Sequence, residues 1–441
     1  MQTSRGGFTR WLTVGCVLLA LMSTGTSAQV SPDSTALVAM YDALGGDFWN
    51  DNTNWKSANP ISSWYGVGVN GSNRVESLHL FNNNLNGTLP LEFWTLIELK
   101  NMVLHDNQLN APIDAAVGNM TLLEEMRMWN VGFTGAIPVE LGSIASLQEL
   151  LLGQNQLTGG IPIELGNLTN LHNLGLFQNQ LTGNIPTELG NLSSVNLEIL
   201  DVSDNQLNGS IPSSIGNLTG LTTLWLKANG LSGSIPTELG NLVSLETLHL
   251  EETGISGSIP ASIVNLVQLQ ELHLRTNDLS GAIPTGITGL SQLRELVLGE
   301  NMLTGSIPAG IGSLTNLERF EVGSNAMSGA IPTGLWTLTN MQQLDLWGNS
   351  FTGQFPASIA AMTQLRNLTV QRNLMDGTLP SDLGSLSNLE IFFAEGNAFA
   401  GSIPASIGSL TNLQSLQLHE NQLTGSIPVG LGNTQLYQLD L

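Results

Sequence analysis

Apolar and polar positions recur along most of this chain with a single 24-residue period. Asn83 marks the register, and Asn107, Asn155, Asn179, Asn229, Asn277, Asn301, Asn325, Asn349, Asn373, Asn397 and Asn421 repeat it, with Asn205 two residues late. An L-x-L or like apolar pair, such as Leu344-Asp345-Leu346, precedes each marker, and a G-x-I-P-like turn such as Gly305-Ser306-Ile307-Pro308 follows it. The alternation before the marker predicts a short half-buried strand. In the pass from Gly183 to Leu207, Leu197, Leu200 and Val202 face inward, and Leu189-Gly190-Asn191-Leu192 suits a short helical or 3₁₀ turn. No such pass can bury its own apolar face, so the passes must stack, one parallel strand each, into a solenoid with a curved sheet. A solenoid can lengthen without splitting into globular domains, and its function is usually its surface.

The repeated asparagine has a structural reading: its amide can satisfy buried backbone groups where the strand turns outward. Val131 and Thr253 break that register. Threonine can keep one hydrogen bond and valine none, so the third repeat is expected to be the weakest. Two residues inserted around Ser193-Ser194-Val195 are expected to bulge on the convex side. Fourteen of the 17 prolines lie seven residues after the marker, from Pro90 to Pro428, so the turns share one register and are expected to be strand-free.

The consensus L-x-x-L-x-L-x-x-N-x-L-x-G-x-I-P-x-x-L-G-x-L resembles the plant-type leucine-rich repeat, the class of receptor-kinase ectodomains and of secreted inhibitors of cell-wall enzymes. Similar repeats occur in secreted bacterial and protist proteins. The resemblance implies an α/β solenoid, a horseshoe or superhelix with a concave parallel sheet and a convex side of 3₁₀ or short-helix turns. It covers residues 75–441, about 15 repeats. Residues 29–74 resemble the N-terminal cap of that family. Ser31-Pro32-Asp33 reads as a helix start, Leu37, Met40, Tyr41 and Leu44 form its apolar stripe, and Gly45-Gly46 ends it. Trp49, Trp55 and Trp64 are expected to seal the open end of the core. The family's cysteine pair is replaced by Ser62 and Val69, so this cap must hold by packing alone. The chain stops at Leu439-Asp440-Leu441, inside an expected strand and without a polar C-terminal cap, as a fragment or a ragged last repeat would.

Residues 1–28 read as a secretory signal: Arg5 and Arg10, an apolar run from Trp11 to Met22, then Thr26-Ser27-Ala28 before a cleavage point. The run is short for a membrane span, and no later stretch is apolar enough for one. The only cysteine, Cys16, falls within it, leaving no disulfide in the mature chain. Charged residues are 11% of the chain, and removing the leader leaves 10 basic against 35 acidic residues. That balance argues against nucleic acid and anionic membrane as partners.

No nucleophile elbow, zinc motif, phosphate loop or calcium loop occurs, so the reading is non-enzymatic and without cofactors. Binding is expected on the concave face, at the positions four and two before the marker, which point away from the core. Five of the six histidines fall there: His79, His105, His249, His273 and His419. Trp129, Trp225, Trp347, Phe81, Phe177 and Phe393 join them. Strand propensity alone accounts for some of these aromatics; exposed aromatics and histidines on a sheet also suit binding. The favoured ligand-binding cluster is Trp225, Lys227, His249, Glu251, His273 and Arg275. A second cluster comprises His79, Phe81, His105, Arg127 and Trp129. His249 and His273 lack a third metal ligand in this reading, so no metal is assigned. Imidazoles at their ordinary value would add pH sensitivity near 6.5. Eight N-x-[ST] sequons, Asn70, Asn119, Asn167 and Asn367 among them, matter only in a glycosylating host.

These observations point to an extracellular module that binds a protein or peptide on its concave face. The alternatives are a structural or adhesive protein that meets polysaccharide or itself, and the ectodomain of a receptor kinase. Concave positions that differ from rung to rung favour binding over a purely structural array.

Overall fold

A computed structural model describes residues 31–194 and 197–441. The expected secretory signal, residues 1–28, and the first two residues of the expected cap therefore lie outside the described residues.

One sheet of 17 strands runs the length of the molecule. Only its first pairing is antiparallel, between Val67–Val69 and Val75–His79; from there the register advances one repeat per strand, as in Leu224↔Leu248 and Leu248↔Leu272. The L-x-L leucines point inward and are fully buried, Leu248 and Leu250 among them. The turns after each Ile-Pro are 3₁₀ segments such as Thr237–Asn241, which bury Leu239. In this main sheet the expected one parallel strand per repeat and the strand-free Ile-Pro turns are found, but most repeats add a second short strand that was not expected.

The marker asparagines form a ladder beneath the sheet. Asn229 accepts from the Leu207 amide at 3.0 Å and donates to the carbonyls of Val202, Leu226 and Lys227 at 3.0, 3.0 and 3.1 Å. One side chain thus satisfies backbone groups of two repeats in a space that water does not reach. Where Val131 interrupts the ladder, its own carbonyl accepts from Leu109 N at 2.7 Å, replacing the missing carboxamide oxygen. The third repeat is therefore better compensated than its side chain suggests. The single hydroxyl proton of Thr253 is donated to Asn277 Oδ1 at 2.6 Å, with the Leu250 carbonyl 3.1 Å away as its alternative acceptor.

A second set of short parallel strands follows the marker, and it is absent from the sequence reading. Five strands from Thr134–Ala136 to Gly230–Ser232 form one such sheet, and six from Ser256–Ser258 to Leu374–Met375 form another. The break between them falls at Thr253, bridged only by Ser234 and Ser256. A glycine stands four residues after the marker in every repeat but the second, where Ala111 takes its place, and it adopts positive φ, +78° at Gly183 and +76° at Gly281. That backbone region strains any residue with a Cβ, which explains the recurrence of glycine there. At the inserted residues the 3₁₀ segment extends to Thr187–Ser194, and the rest of the insertion lies outside the described residues.

The helix Ser34–Ala43 and three tryptophans close the N-terminal end. Trp49 and Trp55 meet edge-to-face at 4.8 Å, and Trp55 lies 5.1 Å from Trp64. All three are buried, as the absence of a cysteine pair requires. A feature not read from sequence reinforces them. Asp33, buried, pairs with Arg74 at 2.9 Å and accepts the Val75 amide at 2.7 Å, tying the helix start to the first strand of the array.

Candidate functional site

The concave surface is built from every residue of the sheet whose neighbours point into the core. Three positions per rung do so, because the strand residue six before the marker also faces outward, as the register Thr247↔Glu271↔Glu295 shows. Counting outward positions from four before the marker omits that column, and with it Glu271, Glu295 and Arg319. One more step of the same alternation would have found them.

The central cluster is a stack. Trp225, His249 and His273 are direct register partners on adjacent strands. Parallel strands lie about 4.8 Å apart, close to the thickness of paired flat rings. The Trp225 and His249 rings stand 5.6 Å apart at 16°, and the His249 and His273 rings 4.2 Å apart at 5°. The stack leaves the histidine side chains only 12% and 14% exposed. They are therefore not freely solvated, contrary to the expectation for outward-pointing positions.

Carboxylates fence this stack. His249 Nε2 meets Glu271 at 3.0 Å, and His273 Nε2 meets Glu295 at 3.0 Å. Glu251 lies 4.0 Å from His249 Nδ1 and 3.8 Å from Lys227 Nζ. Burial pushes the Glu251 carboxyl above its usual range. Burial, then the neighbouring His249 and Arg319, hold His273 down to about 4. His273 is thus a neutral imidazole at physiological pH, which removes it as a sensor near pH 6.5. Three polar atoms in this patch, Trp225 Nε1, Thr247 Oγ1 and Glu251 Oε2, are buried without a hydrogen-bond partner among the described residues.

Arg275 belongs to the next part of the surface. It pairs with Glu300 at 2.5 Å and reaches Glu321 at 3.9 Å, so it leans away from the imidazoles. Arg319 pairs with Glu321 at 2.6 Å and Glu295 at 3.5 Å, and Gln343 also hydrogen-bonds Glu321. Asp345, beside Glu321, is pushed up to about 6, first by burial and also by the Glu321 charge. The polar network thus runs from Lys227 to Asp345, longer than the cluster read from sequence.

The cap-end cluster assembles only in part. Phe81, His105 and Trp129 stack, with ring spacings of 5.0 Å and 3.7 Å. His105 Nδ1 contacts Asp106 at 2.9 Å, and Asn130 donates to the same carboxylate at 2.7 Å. Asn82, Asn84, Gln108 and Asn50 complete an open cleft around Phe81 and His105. His79 is exposed and makes no ring contact among the described residues. Arg127 is committed to Glu149 at 2.6 Å and Glu125 at 3.5 Å.

One donor atom each from His249, Glu271 and His273 lies within 4.8 Å of the other two. The third ligand that the histidine pair lacks in the sequence reading is therefore present, from the omitted column. No helix among the described residues is long and apolar enough to cross a membrane.

Comparison with known proteins agrees with this geometry. A model of a leucine-rich repeat region matches residues 238–347, and the Leucine Rich Repeat model matches 74–96, 146–168, 196–218, 220–242, 340–362 and 412–434. A probable leucine-rich repeat receptor-like protein kinase of Arabidopsis thaliana is 41% identical over 73 residues, 16% of this chain and 7% of that protein. The plant peptide hormone receptor RGFR1, solved in complex with RGF2, superposes with a TM-score of 0.78 at 34% identity, covering 82% of this chain and 58% of that one. A TDR receptor gives a TM-score of 0.69 at 30% identity over 82% of this chain and 75% of that one. A leucine-rich-repeat protein of Leptospira interrogans gives 0.65 at 30% identity, over 80% and 88%. The chain spans 58% of the length of the first of these structures and a small fraction of the curated kinase.

Proposed function

The chain belongs to the plant-type leucine-rich-repeat family, and from that premise we propose that it is an extracellular, non-enzymatic module that binds a protein or peptide along its concave sheet. The ligand site is centred on Trp225, Lys227, His249, Glu251, His273 and Arg275. One observation carries this placement. Trp225 Nε1, Thr247 Oγ1 and Glu251 Oε2 are buried on an otherwise open surface without hydrogen-bond partners. Such groups cost about 1–3 kcal/mol each when left unmade, and a peptide backbone offers both donors and acceptors for them. Trp225 supplies the rigid apolar anchor that dominates many interfaces. The receptor RGFR1 was solved with a peptide partner, which supports the same class of ligand here. In this reading residues 1–28 are a secretory leader, 29–74 the cap and 75–441 the binding array, standing alone or as the ectodomain of a longer receptor-like protein.

The test is the triple variant Trp225→Ala, His249→Ala and Arg275→Ala. It should keep the wild-type circular dichroism spectrum, because none of the three serves the leucine core. Capture of partners from the native extracellular milieu should fall by about a hundredfold or more, at 1–2 kcal/mol per anchor. An unchanged set of captured partners would move the site elsewhere.

A second reading, adhesion to polysaccharide, is favoured by the cap-end cleft. There the stacked Phe81, His105 and Trp129 lie beside the amides of Asn82, Asn84 and Asn130 and the Asp106 carboxylate. Flat apolar rings flanked by planar hydrogen-bonding groups suit a sugar's alternating C–H face and hydroxyl rim. Glycan binding that survives the triple variant and is lost in Phe81→Ala with Trp129→Ala would support this reading.

A further inference from the structure

We propose that His249, Glu271 and His273 form a binding site for a divalent cation of the zinc class. The proposal does not rest on the peptide-binding reading. Its basis is the placement of three donors by the repeat itself. Glu271 and His273 are two residues apart on one strand, so both project from the same face, and His249 is the register partner of His273 on the strand before. Their donor atoms lie within 4.8 Å of one another. A tetrahedral zinc site with bonds of about 2.0–2.2 Å needs its donors about 3.3–3.5 Å apart. Side-chain rotation closes that difference without moving the strands. Each imidazole binds a metal in its own ring plane, so that rotation must splay the two rings from their present stack at 4.2 Å and 5°; Glu271 already meets His249 Nε2 at 3.0 Å.

The surrounding groups suit an outer shell. Metal-ligating histidines donate their other ring N–H to a carboxylate, which fixes tautomer and orientation. His273 has Glu295 at 3.0 Å, itself held by Arg319 at 3.5 Å. His249 has Glu251 at 4.0 Å from Nδ1, with one carboxylate oxygen of Glu251 buried and unpartnered. Glu271 makes no side-chain hydrogen bond except that to His249 among the described residues, so its carboxylate can turn to a cation without giving up another partner.

The donor set also selects the ion. Two imidazoles and one carboxylate suit Zn²⁺, Ni²⁺ or Cu²⁺, whereas Ca²⁺ and Mg²⁺ require mostly oxygen ligands. Three protein ligands leave a position open toward the concave solvent, for water or for a donor from whatever occupies the face.

Titration of the untagged chain with ZnCl₂ by isothermal calorimetry tests the proposal. One saturable site per chain is expected, undisturbed by excess Ca²⁺. Glu271→Gln and His273→Ala should each weaken it by about a hundredfold or more, exceeding the 10–100-fold expected when an outer-shell group such as Glu295 is changed to Gln. His105→Ala, at the cap-end stack, should leave it intact. Cu²⁺ should quench tryptophan fluorescence through the neighbouring Trp225, and Trp225→Phe should remove most of that quenching. Glu271→Gln is the decisive variant if His273→Ala perturbs the fold, because it conserves shape and leaves the stack in place. Absence of saturable one-per-chain zinc binding in the wild type, or binding that persists in Glu271→Gln, would overturn the site.

Discussion

The two aromatic–histidine stacks of the concave face use the same residue types and yield different chemistry. At the cap end, Phe81, His105 and Trp129 occupy the column two before the marker, and Phe81 remains 48% exposed. Among the described residues their only carboxylate contact is Asp106, itself shared with Asn130. In the centre, Trp225, His249 and His273 occupy the column four before it, in the middle of each rung, with acidic residues on both sides. The first stack is an open shelf of rings; the second is a desolvated polar network. The difference teaches that on a solenoid a side chain's environment is set by its column and by residues 24 positions away, more than by its own identity.

The largest effect in this comparison should come from breaking the support of the cap-end shelf. Trp64→Ala removes a buried ring packed on Trp55 and should cost about 3–5 kcal/mol. Hydrogen exchange should then show early opening across residues 31–110, while Thr223–Trp225 through Glu271–His273 keep their protection. Continued strongest protection of the cap would contradict this.

Removing one arginine from each region should sharpen the contrast. Arg319→Leu removes the nearest cation from Glu321, whose side chain is only 3% exposed, and leaves it Gln343 and the more distant Arg275; with these and the part-exposed Arg319 the loss should be about 1–3 kcal/mol, below that of a fully buried pair. Arg127→Leu loses contacts to the half-exposed Glu125 and Glu149 and should cost about 0.2–1 kcal/mol. Urea unfolding of the two variants measures both, and equal losses would show that the two networks are equivalent.

A smaller effect is pH dependence in the central network. Asp345 is raised from 3.8 to about 6 by burial. Folding therefore favours its protonated form, and its contribution to stability falls as pH rises from about 4 to above 6. Partial solvent contact reduces the full linkage value to about 1–2 kcal/mol. Asp345→Asn should gain that amount at pH 7.5 and almost none at pH 4, measured as the shift of the urea midpoint relative to wild type. A gain of equal size at both values would show that ionisation of Asp345 is not the cause.

Much of the architecture was legible because each repeat states it again. The L-x-L pairs, the Asn ladder and the Ile-Pro turns specify the same pass many times over, so local ambiguity cancels. The second ladder was not legible, since segments such as Gln180–Asn184 carry one leucine among polar residues and glycine and show no alternation. Glu271 stands six residues before the marker, outside the two columns that the alternation nearest the marker makes plain. The low value of His273 could not be read at all, because it comes from burial in the folded array and then from the charges of His249 and Arg319 on neighbouring rungs. Asp33 and Arg74 pair across 41 residues, a distance over which no periodicity speaks.

The central claim is that ligand meets the middle of the concave sheet, at the Trp225 stack, and not the cap-end shelf. Photo-crosslinking tests it directly, with benzoylphenylalanine placed at Trp225 in one variant and at Phe81 in another, each exposed to the native extracellular milieu and irradiated. A discrete protein or peptide adduct is expected from the position of Trp225, displaced by excess unmodified chain, and none from that of Phe81. An adduct formed only at Phe81 would contradict it.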